Sequence, residues 1–225
     1  MADVEVPGQA RRGWFVTLEG PDGSGKSAQS ERLRAAAAAT GQEVVLVREP
    51  GGTAAGERIR AILNDAGPVG VRLARRTDAL LFNAARAQLL DEVIRPALSR
   101  GALVISDRYA DSTLAYQGCG SELPLDELRP VVDFATGGLL PDRTILIDVP
   151  VEVGLARKSV AETTRWEAHF DRAFHERVRA GYLSFAAMDP ARWVVVDGTA
   201  PADDVFAALW DVLLDMPGLG PRLAR

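Results

Sequence analysis

The stretch "GWFVTLEGPDGSGKS", residues 13–27, joins a short apolar run to a glycine-rich loop and decides the fold. Its later part, from Gly20 to Ser27, fits the pattern G-x-x-x-x-G-K-[ST]. The apolar run predicts a buried strand that ends at Glu19, and we expect a helix to begin near Lys26. Glycines let the backbone turn its N–H groups inward around phosphate oxygens, and a helix N-terminus adds unpaired donors. The stretch therefore predicts a phosphate-binding loop, or P-loop.

Side chains of this loop and of one later run predict contacts with a nucleoside triphosphate and Mg²⁺. Lys26 is expected to reach the β- and γ-phosphates, and the Ser27 hydroxyl is expected to ligate Mg²⁺. The run "ALVISDR" ends in Asp107, where a carboxylate at the end of a strand would lie beside the loop and hold Mg²⁺ directly or through water. The loop residues expected to bind the triphosphate are Gly20, Pro21, Asp22, Gly23, Ser24, Gly25, Lys26 and Ser27.

Four more short apolar runs follow the first and predict the rest of a sheet. They are "EVVLVREP", "ALVISDRY", "RTILIDVP" and "RWVVVDGT". Each run is continuous and bounded by Gly, Pro or charge, which is typical of strands buried on both faces. Stretches with helical spacing separate the runs; in one of them, Phe170, Phe174, Val178 and Tyr182 form a single helical face. The alternation predicts an α/β fold, a P-loop NTPase with a five-stranded parallel sheet and helices on both faces.

Composition predicts one cytoplasmic domain. We expect that domain over residues 12–215, a disordered leader over 1–11 and a loose tail over 216–225, which holds two prolines and two glycines. The leader lacks the apolar segment of a secretory signal, and no run approaches the roughly 18 apolar residues of a membrane span. The net charge of -5 argues against a nucleic acid or an anionic membrane as partner. The single cysteine, Cys119, excludes an internal disulfide and is expected to fill a loop.

The P-loop by itself does not distinguish a GTPase, a motor and a kinase of small molecules. A GTPase needs an N-K-x-D guanine reader, and neither of the two asparagines precedes a lysine. A kinase that phosphorylates a phosphate-bearing molecule needs a second anion pocket facing the loop. Arg48, in "VREPGGT", and Arg108, beside Asp107, both follow predicted strands, and the C-terminal ends of parallel strands open onto one crevice. The arginine fork suits phosphate, although Arg48 could instead form a surface ion pair with Glu49.

Five segments that span nearly the whole chain after residue 12 resemble the thymidylate kinase family in order and spacing. They are "EGPDGSGKS", "REPGGT", "LLFNAARAQ", "SDRYADSTLAYQG" and "HFDRAFHERVRAGYL". The resemblance implies a nucleoside monophosphate kinase-like fold with a short lid. It also implies transfer of the γ-phosphoryl group of ATP to dTMP with Mg²⁺, giving dTDP and ADP for dTTP synthesis. A homodimer is implied as well, and the helical face of Leu81, Ala85 and Leu89 is a candidate interface.

The resemblance also implies roles for the acceptor-side residues. Phe82 would stack on thymine and Arg86 would donate to a base carbonyl, which agrees with their shared helical face. Arg48 and Arg108 would hold the dTMP phosphate. Tyr116 would lie against the sugar where a 2′-hydroxyl would clash. The other acceptor-side residues are Asp22, Glu49, Ser112, Thr113 and Gln117.

The predicted lid is where the chain departs from the family pattern. Members of the family place a catalytic arginine in the P-loop or in the lid, and here the loop position holds Gly23. The lid, about residues 155–168, must therefore supply the charge. Arg165 is expected to contact the transferred phosphate, and Arg157 is expected nearer the adenine or the ATP phosphates, unless Arg157 and Lys158 form a solvated helix face. The expected catalytic residues are Lys26, Arg108 and Arg165.

Two other functions stay open from the sequence. One is a different nucleoside or nucleotide kinase, such as a deoxynucleoside kinase, against which the pair Arg48 and Arg108 favours an acceptor that already carries phosphate. The other is a catalytically silent P-loop protein that binds nucleotide. The lid favours this second alternative, because Thr164 stands where the family has an aspartate, whereas the intact Lys26 and Ser27 oppose it.

Overall fold

The computed structural model describes residues 13–64, 73–157 and 170–224. Its strands are β1 (Trp14–Glu19), β2 (Val44–Arg48), β3 (Leu103–Asp107), β4 (Arg143–Asp148) and β5 (Trp193–Asp197). They form one parallel sheet in the order β2-β3-β1-β4-β5. Each predicted apolar run therefore forms a strand, and the predicted fold class is confirmed.

Helices separate the strands along the chain. They are α1 (Lys26–Ala39), α2 (Ala54–Asn64), α3 (Arg75–Leu89), α4 (Arg95–Ser99), α5 (Ala110–Thr113), α6 (Leu125–Thr136), α7 (Val151–Arg157), α8 (Arg172–Met188), α9 (Ala202–Leu214) and α10 (Gly220–Leu223). A π-helical turn over Leu90–Ile94 joins α3 to α4, and another over Leu114–Gly120 continues α5. Cys119 lies in this second turn, so the expectation that it fills a loop is wrong. Within the described ranges, every helix is too short or too polar to cross a membrane.

Apolar side chains cover both faces of the sheet. On one face, Phe15 packs with residues of α3, α4, α6 and α8. On the other face, its neighbour Val16 packs with residues of α1, α9 and α10, because successive side chains of a strand point to opposite sides. The α3 residues Ala85 and Leu89 are buried in the first of these cores. The helical face that they share with Leu81 therefore serves the core, and its prediction as an interface is wrong.

The C-terminal segment packs against the second core. Met216, Leu219 and Leu223 are at most 4% exposed, and the Trp14 indole donates a hydrogen bond to the Pro217 carbonyl at 3.2 Å. The prediction of a loose tail is therefore wrong for residues 216–224, since three apolar side chains at helical spacing outweigh the glycine and proline content. The predicted leader and residues 158–168 of the predicted lid lie outside the described residues.

The sheet register brings the functional motifs to one edge. Leu18 and Arg48 both lie opposite Asp107 in neighbouring strands. The strands β1, β2 and β3 therefore end at the same level, and the segments that follow them emerge side by side. This is the crevice at the C-terminal strand ends where ligands bind in open α/β sheets.

Candidate active site

A cavity of about 740 Å³ opens at the shared ends of β1, β2 and β3. Most of the residues predicted from sequence line it. They are Asp22, Gly23, Gly25, Lys26, Ser27, Arg48, Glu49, Phe82, Arg86, Asp107, Arg108, Ser112, Thr113, Tyr116, Gln117 and Arg157. The predicted P-loop residues Gly20, Pro21 and Ser24 lie behind this lining, and Arg165 lies outside the described residues.

The P-loop is held against the backbone of α7 by a close contact between two glycines. Gly23 has a φ of 72°, and a Cβ placed there would collide with the carbonyl oxygen of Gly154. A Cβ on Gly154 would in turn collide with the carbonyl oxygen of Asp22. Position 23 therefore requires glycine for both its conformation and its surroundings. A P-loop arginine has no room at this position.

The side chain of Lys26 folds back onto the P-loop and bonds to three of its residues. Its ammonium group donates to the carbonyl oxygens of Gly20 and Pro21 at 3.0 and 2.9 Å and to Ser24 Oγ at 3.1 Å. Burial and the nearby guanidinium of Arg108 together lower the pKa of Lys26 to about 8, against the opposing charges of Asp107, Asp22 and Glu19. Gly20, Pro21 and Ser24, which do not line the cavity themselves, thus hold the ammonium group of Lys26 in place.

Two oxygen-bearing side chains meet at the N-terminus of α1. Ser27 Oγ donates to Asp107 Oδ2 at 2.5 Å, and both residues line the cavity. Mg²⁺ takes oxygen ligands and usually keeps only one or two from the protein, with the rest from water and substrate phosphates. The hydroxyl and the carboxylate therefore fit the predicted metal site.

Arg108 lies at the centre of the cavity floor and is held from several sides. Its Nη2 donates to Asp22 Oδ1 at 2.7 Å and to Tyr116 Oη at 3.0 Å, and the Tyr116 hydroxyl donates to the same Asp22 oxygen at 2.7 Å. Its Nη1 donates to the Gly20 carbonyl and to Ser112 Oγ at 3.3 and 3.2 Å. The guanidinium is thereby fixed between the P-loop and the helix that starts at residue 110.

Behind Arg108 lies a buried carboxylate that the sequence analysis treated only as the end of a strand. Glu19 accepts hydrogen bonds from the backbone N–H of Tyr109 at 2.8 Å, from Ser112 Oγ at 2.6 Å and from the Tyr182 hydroxyl at 2.9 Å. Burial and the charge of Asp111 together raise the pKa of Glu19 to about 7, against the hydrogen bonds that it accepts and the charge of Arg108. The group therefore titrates near neutral pH.

The opposite end of the cavity carries an aromatic ring and a buried arginine. Phe82 lines the wall and is half-buried. Arg86, which is 1% exposed, donates to Glu49 Oε2 at 2.9 Å, to Asn83 Oδ1 at 2.9 Å and to the carbonyl oxygen of Tyr109 at 3.0 Å. Arg86 Nη2 also lies 2.7 Å from Glu49 Oε2, so four of the five guanidinium N–H groups are used, and one N–H on Nη1 has no partner among the described residues. An aromatic ring beside a hydrogen-bond donor suits a planar ring that carries polar groups on its edge, so this end of the cavity is the candidate site for a nucleobase.

Two buried oxygen atoms on the same wall have no hydrogen-bond partner among the described residues. They are Glu49 Oε1 and Thr113 Oγ1. Gln117, beside them, donates to Asp78 at 3.1 Å from its amide nitrogen. Native structures leave few buried polar atoms unpaired, so unpaired atoms in a cavity wall call for a ligand or water. Arg48 and Arg157 are exposed at the rim, where Arg157 donates to the Gly198 carbonyl at 2.7 Å.

Part of the cavity wall was not predicted. The residues that sequence analysis missed are Ala28, Pro50, Arg60, Leu63 and Asn64. Arg60 and Asn64 are four residues apart on α2, so they share one helical face, and Arg60 donates to the Pro50 carbonyl at 3.3 Å. The available signal was the position of α2, which directly follows "REPGGT" at the end of a strand. That position places the α2 face that carries Arg60 and Asn64 over the crevice.

Comparisons with known proteins agree with this geometry. The chain matches the family described as thymidylate kinase over residues 18–209. It is 49% identical to the thymidylate kinase of Thermomicrobium roseum over 210 residues, which cover 93% of this chain and 98% of that protein. It is 45% identical to the thymidylate kinase of Deinococcus radiodurans, over 88% of this chain and 95% of that protein.

A solved structure gives the same result at the level of the fold. The crystal structure of thymidylate kinase from Ehrlichia chaffeensis superimposes with a TM-score of 0.71 at 32% sequence identity, covering 90% of this chain and 99% of that one. Sequence and fold thus agree over nearly the full length of each relative. The chain belongs to the thymidylate kinase family.

Proposed function

We propose that this protein transfers the γ-phosphoryl group of ATP to dTMP, giving dTDP and ADP for dTTP synthesis. The observation that carries the proposal is that one cavity holds a P-loop and, facing it, an arginine fixed for a second phosphate. Family membership supports the same reaction, since the relatives named above are thymidylate kinases.

On the donor side, the P-loop backbone and Lys26 bind the triphosphate. Lys26 has to exchange its three loop acceptors for phosphate oxygens, which its flexible stem allows. Ser27 and Asp107 hold Mg²⁺, which when bound neutralises charge on the phosphates. Arg157, at the rim, lies on the ATP side and Arg165 of the lid contacts the transferred phosphate.

On the acceptor side, Arg108 binds the dTMP phosphate and Arg48 assists from the rim. Because Arg108 is already bonded to Asp22 in the P-loop, its position relative to the donor phosphates is set before either substrate binds. Tyr116, held by the same pair, lies against the deoxyribose. Bringing two phosphates into line and neutralising the moving charge is the main task of a phosphoryl-transfer enzyme.

The base binds at the end of the cavity that carries Phe82 and Arg86. Phe82 supplies the flat apolar surface and the remaining Nη1–H of Arg86 donates to a carbonyl of thymine. Glu49, Thr113, Ser112 and Gln117 complete the wall of the cavity. Thymine presents one N–H between two carbonyl groups, and the N–H of Arg86 suits one of these carbonyls.

The protein is further proposed to act as a homodimer in the cytoplasm on the small-molecule substrates ATP and dTMP. The single cysteine supports a reducing compartment. The α6 residue Phe134, which is 90% exposed, is proposed as part of the contact with the second copy. The proposal includes no nucleic-acid or membrane partner.

A coupled assay of ADP release tests the reaction. The protein is offered ATP and Mg²⁺ with dTMP, dUMP, CMP, AMP or thymidine in parallel. Preferred turnover of dTMP that falls to a low residual level in Lys26→Ala and in Arg108→Ala is the expected result. Preferred turnover of thymidine would instead mean that the acceptor pocket does not bind phosphate, and no turnover of any acceptor would contradict the proposal as a whole.

A further inference from the structure

The hydroxyl of Tyr182, on α8, contacts Arg108 from the side that faces away from the cavity. Tyr182 is 0% exposed, and its hydroxyl lies 3.4 Å from Arg108 Nη1, 2.8 Å from Ser112 Oγ and 2.9 Å from Glu19 Oε2. Burial raises the pKa of Tyr182 well above its ordinary value, so the hydroxyl keeps its proton and donates to Glu19. The Tyr182 ring lies on the apolar face of α8, whereas its hydroxyl lies in a polar cluster with Glu19, Arg108 and Ser112.

Arg108 needs such support because its backbone is strained. Its φ is 73°, which places a non-glycine residue in the left-handed region. Conformations of this kind persist only where the surroundings hold them. Glu19 holds the main chain directly after Arg108 by accepting the Tyr109 N–H, and it orients Ser112 and Tyr182 toward the guanidinium. One carboxylate therefore fixes both the backbone and the side-chain direction of Arg108.

We propose that Glu19 and Tyr182 are positioning residues for phosphoryl transfer, which hold Arg108 in its left-handed backbone conformation with the guanidinium directed at the acceptor phosphate. The inference rests on the proposed role of Arg108. Neither residue lines the cavity, so both act through Arg108 and Ser112 and not through contact with a nucleotide.

The first test compares two tyrosine hydroxyls. Tyr182→Phe removes the hydroxyl in the cluster and keeps the ring. Tyr109→Phe is the matched control, since its hydroxyl is also largely buried but donates to the Leu139 carbonyl at 3.0 Å, away from Arg108. We expect Tyr182→Phe to lower kcat/KM for dTMP about tenfold, as for the loss of a hydrogen bond to a charged group, with the KM for ATP unchanged. The control is expected to keep kcat/KM within twofold.

A double-mutant cycle separates positioning from general loss of structure. Tyr182→Phe is combined with Arg108→Ala, and kcat/KM for dTMP is measured for all four proteins. If Tyr182 acts through Arg108, its substitution changes the residual activity of Arg108→Ala by less than about twofold. An equal fold-loss in both backgrounds would show a structural role and overturn the inference.

Substitutions of Glu19 give an independent test if Tyr182→Phe fails to fold. Glu19→Gln keeps an acceptor for the Tyr109 N–H and adds an amide donor for the hydroxyls, whereas Glu19→Leu removes both. The inference predicts that Glu19→Gln retains most of the kcat/KM for dTMP that Glu19→Leu loses. Equal losses would overturn it. Failure of the proposed function is distinct from this, because it would appear as full activity of Arg108→Ala or as no dTMP turnover by the unmodified protein.

Discussion

Arg108 Nη2 lies 2.7 Å from Asp22 Oδ1, so an ion pair joins the end of β3 to the P-loop across 86 positions of sequence. The arginine side chain is 21% exposed and the aspartate 5%, so the pair is only partly open to the cavity. Charge-assisted hydrogen bonds in such places are strong and directional. The arginine proposed to bind the acceptor phosphate is thus held by an ion pair to the loop proposed to bind the donor phosphates.

The planar fork of Arg108 is expected to be indispensable. Arg108→Lys keeps the charge but cannot bond Asp22, Tyr116 and Ser112 at once, so kcat/KM for dTMP should fall about 100-fold. Steady-state kinetics with dTMP varied measures this. Arg100→Lys is the control, because Arg100 pairs with Glu43 at the exposed surface, and it should leave the rate unchanged. Equal activity of the two variants would contradict the assigned role.

Gly23→Ala tests the contact between the P-loop and α7. The new Cβ collides with the Gly154 carbonyl, so we expect the free energy of unfolding to fall by about 3 kcal/mol and ATP binding to be lost. Gly41→Ala is the matched control: its φ is 85°, but no atom lies within 4 Å of the added Cβ. The control isolates the conformational contribution, about 1 kcal/mol. Denaturant unfolding of both proteins measures the difference, and similar losses would mean that the collision is relieved without cost.

The lowered pKa of Lys26 predicts proton uptake on binding of ATP. In the free protein Lys26 loses its proton as the pH rises through about 8, and phosphate favours the charged form. Binding near pH 8 should therefore take up a fraction of one proton, and this uptake should vanish below about pH 7. Titration calorimetry in buffers of different ionisation enthalpy measures it. Lys26→Met should abolish the uptake; persistence in this variant would assign the proton to another group.

The raised pKa of Glu19 predicts a pH-dependent stability. The folded protein keeps this proton up to about pH 7, whereas the unfolded chain releases it near the ordinary glutamate pKa of 4.5. The folded state therefore binds more protons between these values, and its stability falls as the pH rises from about 4.5 to 7. The fully developed loss from this group is about 3 kcal/mol.

Urea unfolding at several pH values measures this contribution. Glu19→Gln should flatten the decline between pH 5 and 7, because its amide does not titrate. Glu92→Gln, at the surface, serves as the control and should follow the unmodified protein. A decline of equal slope in Glu19→Gln would assign the pH dependence to other groups.

The proposed homodimer predicts a role for Phe134. Phe134→Glu places a charge on a ring that is 90% exposed on α6, so light scattering after size exclusion should show a monomer. Met188→Glu is the control, since Met188 is 64% exposed at the end of α8, and it should leave the mass unchanged. A dimeric Phe134→Glu would exclude this surface from the interface.

The sheet and the P-loop were predictable because their signals are local. Each strand is a continuous apolar run, and the G-x-x-x-x-G-K-S pattern fixes a strand, a loop and a helix within a few residues. The meeting of Arg48, Asp107 and Arg108 was predictable as well, because parallel strands end at a common edge. In these cases the position along the chain determines the position in space.

Where the signal depends on distant partners, the sequence was less informative. Tyr182 shares an apolar helical face with Phe174 and Val178, and nothing in that spacing reveals that its hydroxyl meets Glu19, 163 positions away. The tail contains glycine and proline, yet Leu219 is fully buried because it packs against apolar residues of β1 and α9 in the second core. Arg165 remains a prediction from resemblance.

The contact between Gly23 and Gly154 also constrains how this enzyme can change over evolutionary time. An arginine at position 23 would have to displace the start of α7, so moving the charge proposed for the lid into the loop would take more than one substitution in this protein. An arginine at position 23 would first require that α7 be shortened or tilted. A laboratory selection for activity in a variant that lacks Arg165 should therefore recover changes along α7 before any change at position 23.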